Sequence, residues 1–107
     1  MRFNVAKDFT KYMGGRYKKF GPKSGEELRD DFLIPMLKKN PEDFLFVDLT
    51  DVMVCWATLE EIFGGLVRKM GPKVADRIRI IGDDDDCEAA HKFMQDIVEH
   101  YGEPGWV

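Results

Sequence analysis

Apolar positions along the chain fall into short runs separated by longer stripes at helical spacing. Arg2 to Lys7 alternates polar and apolar residues through Phe3 and Val5, the period of a strand. Gly14-Gly15 signals a turn, and Arg16 to Phe20 reads as a second short strand pairing back as a hairpin. Ser24 then opens a helix. Its hydroxyl can accept from the first turn's free amides, and Glu27 completes a capping box. Leu28, Phe32, Leu33, Met36 and Leu37 form the apolar stripe of that helix, which Pro35 is expected to bend or end. Phe44-Leu45-Phe46-Val47 with Leu49 is nearly unbroken apolar sequence, as in a strand covered on both faces. A loop from Thr50 to Ala57 leads to a second capping box, Thr58-Leu59-Glu60-Glu61, and a stripe of Leu59, Ile62, Phe63, Leu66, Val67 and Met70. Gly64 and Gly65 within that stripe imply close approach of a neighbour. Gly71-Pro72 stops the helix, and Arg77 to Ile81 is a further strand. Asp83 to Asp86 places negative charge where the macrodipole of a last helix favours it. Ala90, Phe93, Met94, Ile97, Val98 and Tyr101 are its expected buried face. Gly102 ends it, and residues 102–107, with Trp106, read as a tail.

Alternating strands and helices imply an α/β fold: a central, mostly parallel sheet of three to four strands with about three helices, in one domain over residues 1–107. Composition agrees, since 107 residues with 44% hydrophobic and 34% charged content suit a single globular domain. No apolar run is long enough to span a membrane, and the first residues show no apolar signal region, so a cytoplasmic protein is expected. Cys55 and Cys87 stand far apart and outside any CxxC, which points to neither a disulfide scaffold nor a zinc module. The net charge of −4 disfavours bulk nucleic-acid binding, but the charge is uneven. Residues 1–40 hold ten Lys/Arg against five Asp/Glu, whereas residues 41–107 hold six against fifteen. Such asymmetry can steer a partner or simply solvate a surface.

Three stretches narrow the fold: Gly14-Gly15-Arg16-Tyr17 with Gly21-Pro22-Lys23-Ser24-Gly25-Glu26-Glu27; Phe32-Leu33-Ile34-Pro35-Met36-Leu37; and Val47-Asp48-Leu49 with Leu59 to Arg68. Together they resemble the STAS-like family of bacterial and phage proteins of unknown function, the DUF4325 group, over about Phe9 to Met70. The resemblance implies a small STAS-like sandwich, distantly similar to the anti-sigma factor antagonists, that regulates by binding another protein and catalyses nothing. In STAS domains a Ser or Thr at the start of the second helix is phosphorylated by a partner kinase, and the added charge switches binding. STAS-like relatives tend to carry two serines just before the Leu-Glu-Glu. Here Trp56-Ala57 stand instead, followed by Thr58, which is one residue displaced.

The candidate partner-binding residues are therefore Cys55, Trp56, Thr58, Glu60 and Glu61, with Arg16, Tyr17 and Lys18 from the basic segment. Trp56 is an aromatic anchor for a contact or a cover for the core edge. Thr58 is a helix cap or a phosphoacceptor. The partner classes this implies are a kinase-like, anti-sigma-like or host-defence protein, or a second copy of the chain. A second reading is a phage- or mobile-element-encoded inhibitor that offers its acidic face to a basic protein surface. A third is a nucleotide- or phosphate-binding protein, because Gly15, Gly21, Lys23 and Ser24 precede a helix. Their spacing, with Pro22 between, departs from a phosphate loop. Cys87 and His91 share a helix face near the aspartates, but the spacing suits neither calcium nor zinc, and no cofactor is implied. No histidine or nucleophile pairs with Asp48, Glu60 or Glu61 in a catalytic pattern.

Overall fold

A computed structural model describes residues 1–102. Three short strands, β1 (Arg2–Asn4), β2 (Leu45–Asp48) and β3 (Ile78–Ile81), form one all-parallel sheet in the order β1-β2-β3. Phe3 lies opposite Val47, and Val47 opposite Ile80. Helix α1 (Val5–Asp8) follows β1 directly, so the strand is shorter than its alternation suggests. Asn4 causes the switch: its side chain accepts from the Lys7 amide and caps the new helix.

The expected hairpin strand is absent. Arg16 to Phe20 instead lies in a closed loop containing a 3-10 turn at Lys18–Phe20. The Gly14 amide donates to Lys23 O at 2.7 Å, and the Gly25 and Glu26 amides donate to the carbonyls of Gly15 and Arg16. Lys23 adopts φ 61°, and a Cβ at Gly14 would sit 2.6 Å from Pro22 O, so chain closure here needs glycine.

Ser24 caps α2 (Gly25–Glu27) as expected, its Oγ accepting from the Glu27 amide at 3.0 Å. The Glu27 carboxylate reaches one residue further back, to the Lys23 amide. The helix then widens into a π-helical stretch, Leu28–Leu33, before continuing as α3 (Ile34–Lys39). Pro35 thus neither ends nor breaks the helix. A π turn ahead of it relaxes the contact between the proline ring and the preceding turn. Arg77 fastens the far end by donating to Leu37 O, Asn40 O and Asp43 O.

Two long helices complete the fold: α4 (Trp56–Met70) and α5 (Asp84–His100), packed against each other. Each strand in the sheet lies beside its predecessor, and right-handed crossovers taken in one direction put the connecting helices on one face. Phe63, Leu28, Leu33, Leu45, Val47, Leu59, Leu66 and Ile78 fill the space between and are fully buried. On α5 the buried positions are Ala89, Ala90, Met94 and Ile97, while Tyr101, expected inside, is 48% exposed. The apolar run at β2 is also covered on one side only. Leu45 and Val47 point into the core, whereas Phe44 and Phe46 are exposed. The tail expected beyond Gly102, with Trp106, lies outside the described residues. Among those described, no helix is long and apolar enough to cross a membrane.

Candidate partner-binding site

The loops at the carboxyl ends of the strands are where parallel sheets usually bind, although the order β1-β2-β3 has no switch point to open a crevice. Here they are the chain after β2, from Leu49 to Cys55, and the turn Gly82-Asp83 after β3. The Leu49 amide donates to Ile81 O at 2.7 Å and holds the two together. Asp48 closes β2. Its carboxylate accepts from the Thr50 amide at 2.9 Å and from Arg2 at 2.9 Å. The hydrogen bonds from Thr50, then the Arg2 guanidinium, hold its carboxyl below the usual range. Asp51 takes φ 65°, which an Asp tolerates better than most residues.

The loop then runs beside the segment after α1. The Met53 amide donates to Lys11 O, and the Met13 amide to Met53 O, so Tyr12 and Met53 sit side by side as a parallel bridge. Both are exposed, Tyr12 at 70% and Met53 at 66%, and Trp56 follows at 59%. Trp56 meets Phe93 of α5 edge to face, with ring centroids 6.5 Å apart. It stands as a ridge between two depressions. One, of about 670 Å³, lies between Leu49–Met53 and the carboxylates of Asp83, Asp85 and Asp86. The other, of about 510 Å³, runs along α5 past Asp85, Glu88, Lys92 and Asp96. Burial, and then the charges of Asp83 and Asp85, push the Asp86 carboxyl up. An aromatic ridge with carboxylates on both sides results.

The other predicted residues divide around this ridge. Cys55, not Thr58, is the N-cap of α4; Thr58 lies within the first turn and is fully buried. Its hydroxyl donates to Gly14 O at 2.8 Å and lies 3.2 Å from Cys55 Sγ, fastening the Gly14 loop to α4. A phosphate on Thr58 would require that loop to open. The side-chain contact with Thr58, then hydrogen bonding to the first amides of α4, draws the exposed Cys55 thiol below its ordinary value.

Glu61 does not close the expected capping box. It is buried, and its carboxylate pairs with Arg29, which is itself only 4% exposed, and with Arg16 at 3.3 Å. Glu60 pairs with Arg16 at 2.7 Å and with Arg68. Burial raises the Glu60 carboxyl, but Arg68 and then Arg16 outweigh it and hold it low. Arg16, Glu60 and Glu61 are thus brought together, but their charges are neutralised internally. Gly64 and Gly65 explain the space this takes. A Cβ at Gly65 would lie 2.4 Å from Arg29 Nη1, and one at Gly64 would lie 2.6 Å from Glu60 Oε2. The close neighbours are side chains of the ionic network.

Tyr17 packs against Phe20 with centroids 5.8 Å apart, under the Lys19 ammonium, and Lys18 pairs with Asp31 at 3.1 Å. The amides that would cradle a phosphate at the start of α2 are already bonded to Gly15 O, Arg16 O and Ser24 Oγ. Among the described residues no three His, Cys, Asp or Glu side chains converge as a metal site. Sequence reasoning missed Tyr12, Met53 and Asp51 as members of the site. Only a tertiary bridge joins Tyr12 to Met53, although the exposed-type loop around Asp51 marked the place. The chain matches no family model, no curated protein and no solved structure with which it was compared.

Proposed function

We propose that the protein is a non-catalytic, regulatory protein-binding module that grips a basic partner across the Trp56 ridge. The observation that carries this reading is the exposure of Tyr12, Met53 and Trp56 together, bordered by Asp51, Asp83, Asp85 and Asp86. A large aromatic flanked by methionine and tyrosine supplies the desolvated centre of an interface, and charges around it steer a partner of opposite sign. The carboxylates crowd one another, and among the described residues none has a basic neighbour at salt-bridge distance, unlike Glu60, Glu61, Asp30 and Asp48. The STAS-like resemblance supports the same surface, since in STAS domains, to which that family is distantly similar, a partner kinase meets the start of this helix. The acidic-inhibitor reading uses the same groups and differs only in what the partner does.

Replacing Asp83 to Asp86 by Asn keeps a capping side chain at Asp83 while removing four charges. Binding of the captured partner should fall about tenfold or more at low salt and lose most of its salt dependence. Unchanged affinity and salt slope in that variant would remove the acidic border from the interface.

A further inference from the structure

All-parallel sheets occur almost only with both faces covered, because strands of this kind are apolar on both sides. Here, among the described residues, one face is left open. Its outward row is Arg2, Phe46 and Arg79, which the strand register places side by side. Phe46 is 41% exposed and Phe44, just before the strand, 52%. The Arg79 guanidinium lies 4.6 Å from the Phe44 ring centroid. Ile81 is half-buried on the same side. The charge of this face is cationic. The Met1 ammonium donates to Phe44 O at 2.8 Å; among the described residues Arg79 donates to the carbonyls of Asp76 and Ile78, and the carboxylate of the outward face of the strands, Asp48, is already matched by Arg2.

The size of the patch limits what can sit on it. Three strands at about 4.8 Å spacing, each about four residues long, present a footprint roughly 10 Å by 13 Å. That is far below the roughly 800 Å² per partner of a stable dimer. Two copies meeting here would also bring like charges together. One α-helix, about 10 Å across, matches the width and supplies the layer that parallel sheets ordinarily carry. Its chemistry follows from the face: an apolar stripe for Phe44, Phe46 and Ile81, with carboxylates on its flanks for Arg79 and the amino terminus.

We propose that the open sheet face docks an acidic amphipathic helix of a partner protein. This surface is separate from the Trp56 ridge, and the two stand or fall independently. The test is selection of displayed helical peptides of about 15 residues against the whole chain, with a leucine stripe fixed and the flanking positions randomised. Enriched peptides should carry Asp and Glu on the flanks. Their binding should fall about tenfold in Phe46→Ser and in Arg79→Glu, yet stay unchanged in Trp56→Ala. Enrichment of neutral or basic flanks, or binding indifferent to both sheet variants, would overturn the proposal. So would self-association in sedimentation that Phe46→Ser abolishes, or tighter binding of a single-stranded oligonucleotide through the same residues.

Discussion

Arg29 carries a charge into a place that is only 4% exposed, and everything around it answers that charge. Its guanidinium donates to Glu61 O at 2.9 Å, to the Glu61 carboxylate and to Asp30, so each of its three nitrogens has an acceptor. Breaking a buried pair of this kind costs about 3–5 kcal/mol. Gly65 makes the room. Gly65→Ala gains about 1 kcal/mol of helix propensity but drives a methyl into the guanidinium. We expect a net loss of about 2 kcal/mol in urea unfolding, the overpacking and the disturbed pair together outweighing propensity. Gly64→Ala should cost less, because Glu60 is half-buried and its carboxylate can swing outward. A Gly65→Ala variant as stable as the parent would mean that the Arg29 pair is not held as described. In the sequence the two glycines announced close packing, but not against what. Arg29 and Glu61 stand 32 positions apart, and Glu61 had a ready local explanation as a capping residue.

At the scale of elements, local chemistry was legible wherever a short-range rule acted alone. Ser24 caps α2 and Gly71 ends α4, each where the pattern put it, and α5 begins at the predicted aspartates, with Asp83 as its cap. Legibility failed where two rules competed. Thr58 fits a capping box, but tertiary hydrogen bonding to Gly14 O draws it into the helix and leaves Cys55 as the cap. Arg16 to Phe20 has strand-like residues, yet the hydrogen bonds that close Gly14 onto Lys23 leave it no partner strand. The start of α5 combines opposing effects in one turn. Its amino-terminal dipole favours negative charge, while Asp83, Asp85 and burial work against Asp86. The signs can be separated. Asp86 has a folded pKa above its ordinary value, so its ionised form opposes folding at neutral pH. Asp48 has one below, so its ionised form supports folding above the ordinary carboxylate range, and that support is lost as pH falls through its lowered pKa. Asp86→Asn should therefore gain a few tenths of a kcal/mol at pH 7, about 1–2 °C in Tm. The gain should vanish in acid, where the parent carboxyl is already protonated. A loss of Tm at pH 7 would show that the dipole outweighs the crowding.

Across the whole molecule, the α/β alternation was readable because each helix carries its own stripe and each strand its own short run. The single helical layer was not. Phe44-Leu45-Phe46-Val47 has the composition of a doubly covered strand, and only the strand order, which steps in one direction, shows that the second face stays open. The proposed partner-binding surface was partly legible: Trp56 was marked by its place before α4, while Tyr12 and Met53 joined it only through folding. Arg16, Glu60 and Glu61 moved the other way, from candidate contacts to an internal ion-pair network that secures the loop behind the ridge. On the proposed reading, recognition energy rests on a few exposed apolar side chains and selectivity on the acidic border. The most direct measurement is quantitative affinity purification from the native host with the parent and Trp56→Ala, together with thermal unfolding of both. Loss of at least tenfold of the captured partner, with Tm changed by no more than about 2 °C, is the predicted result. Equal capture by the two proteins at equal stability would contradict the account.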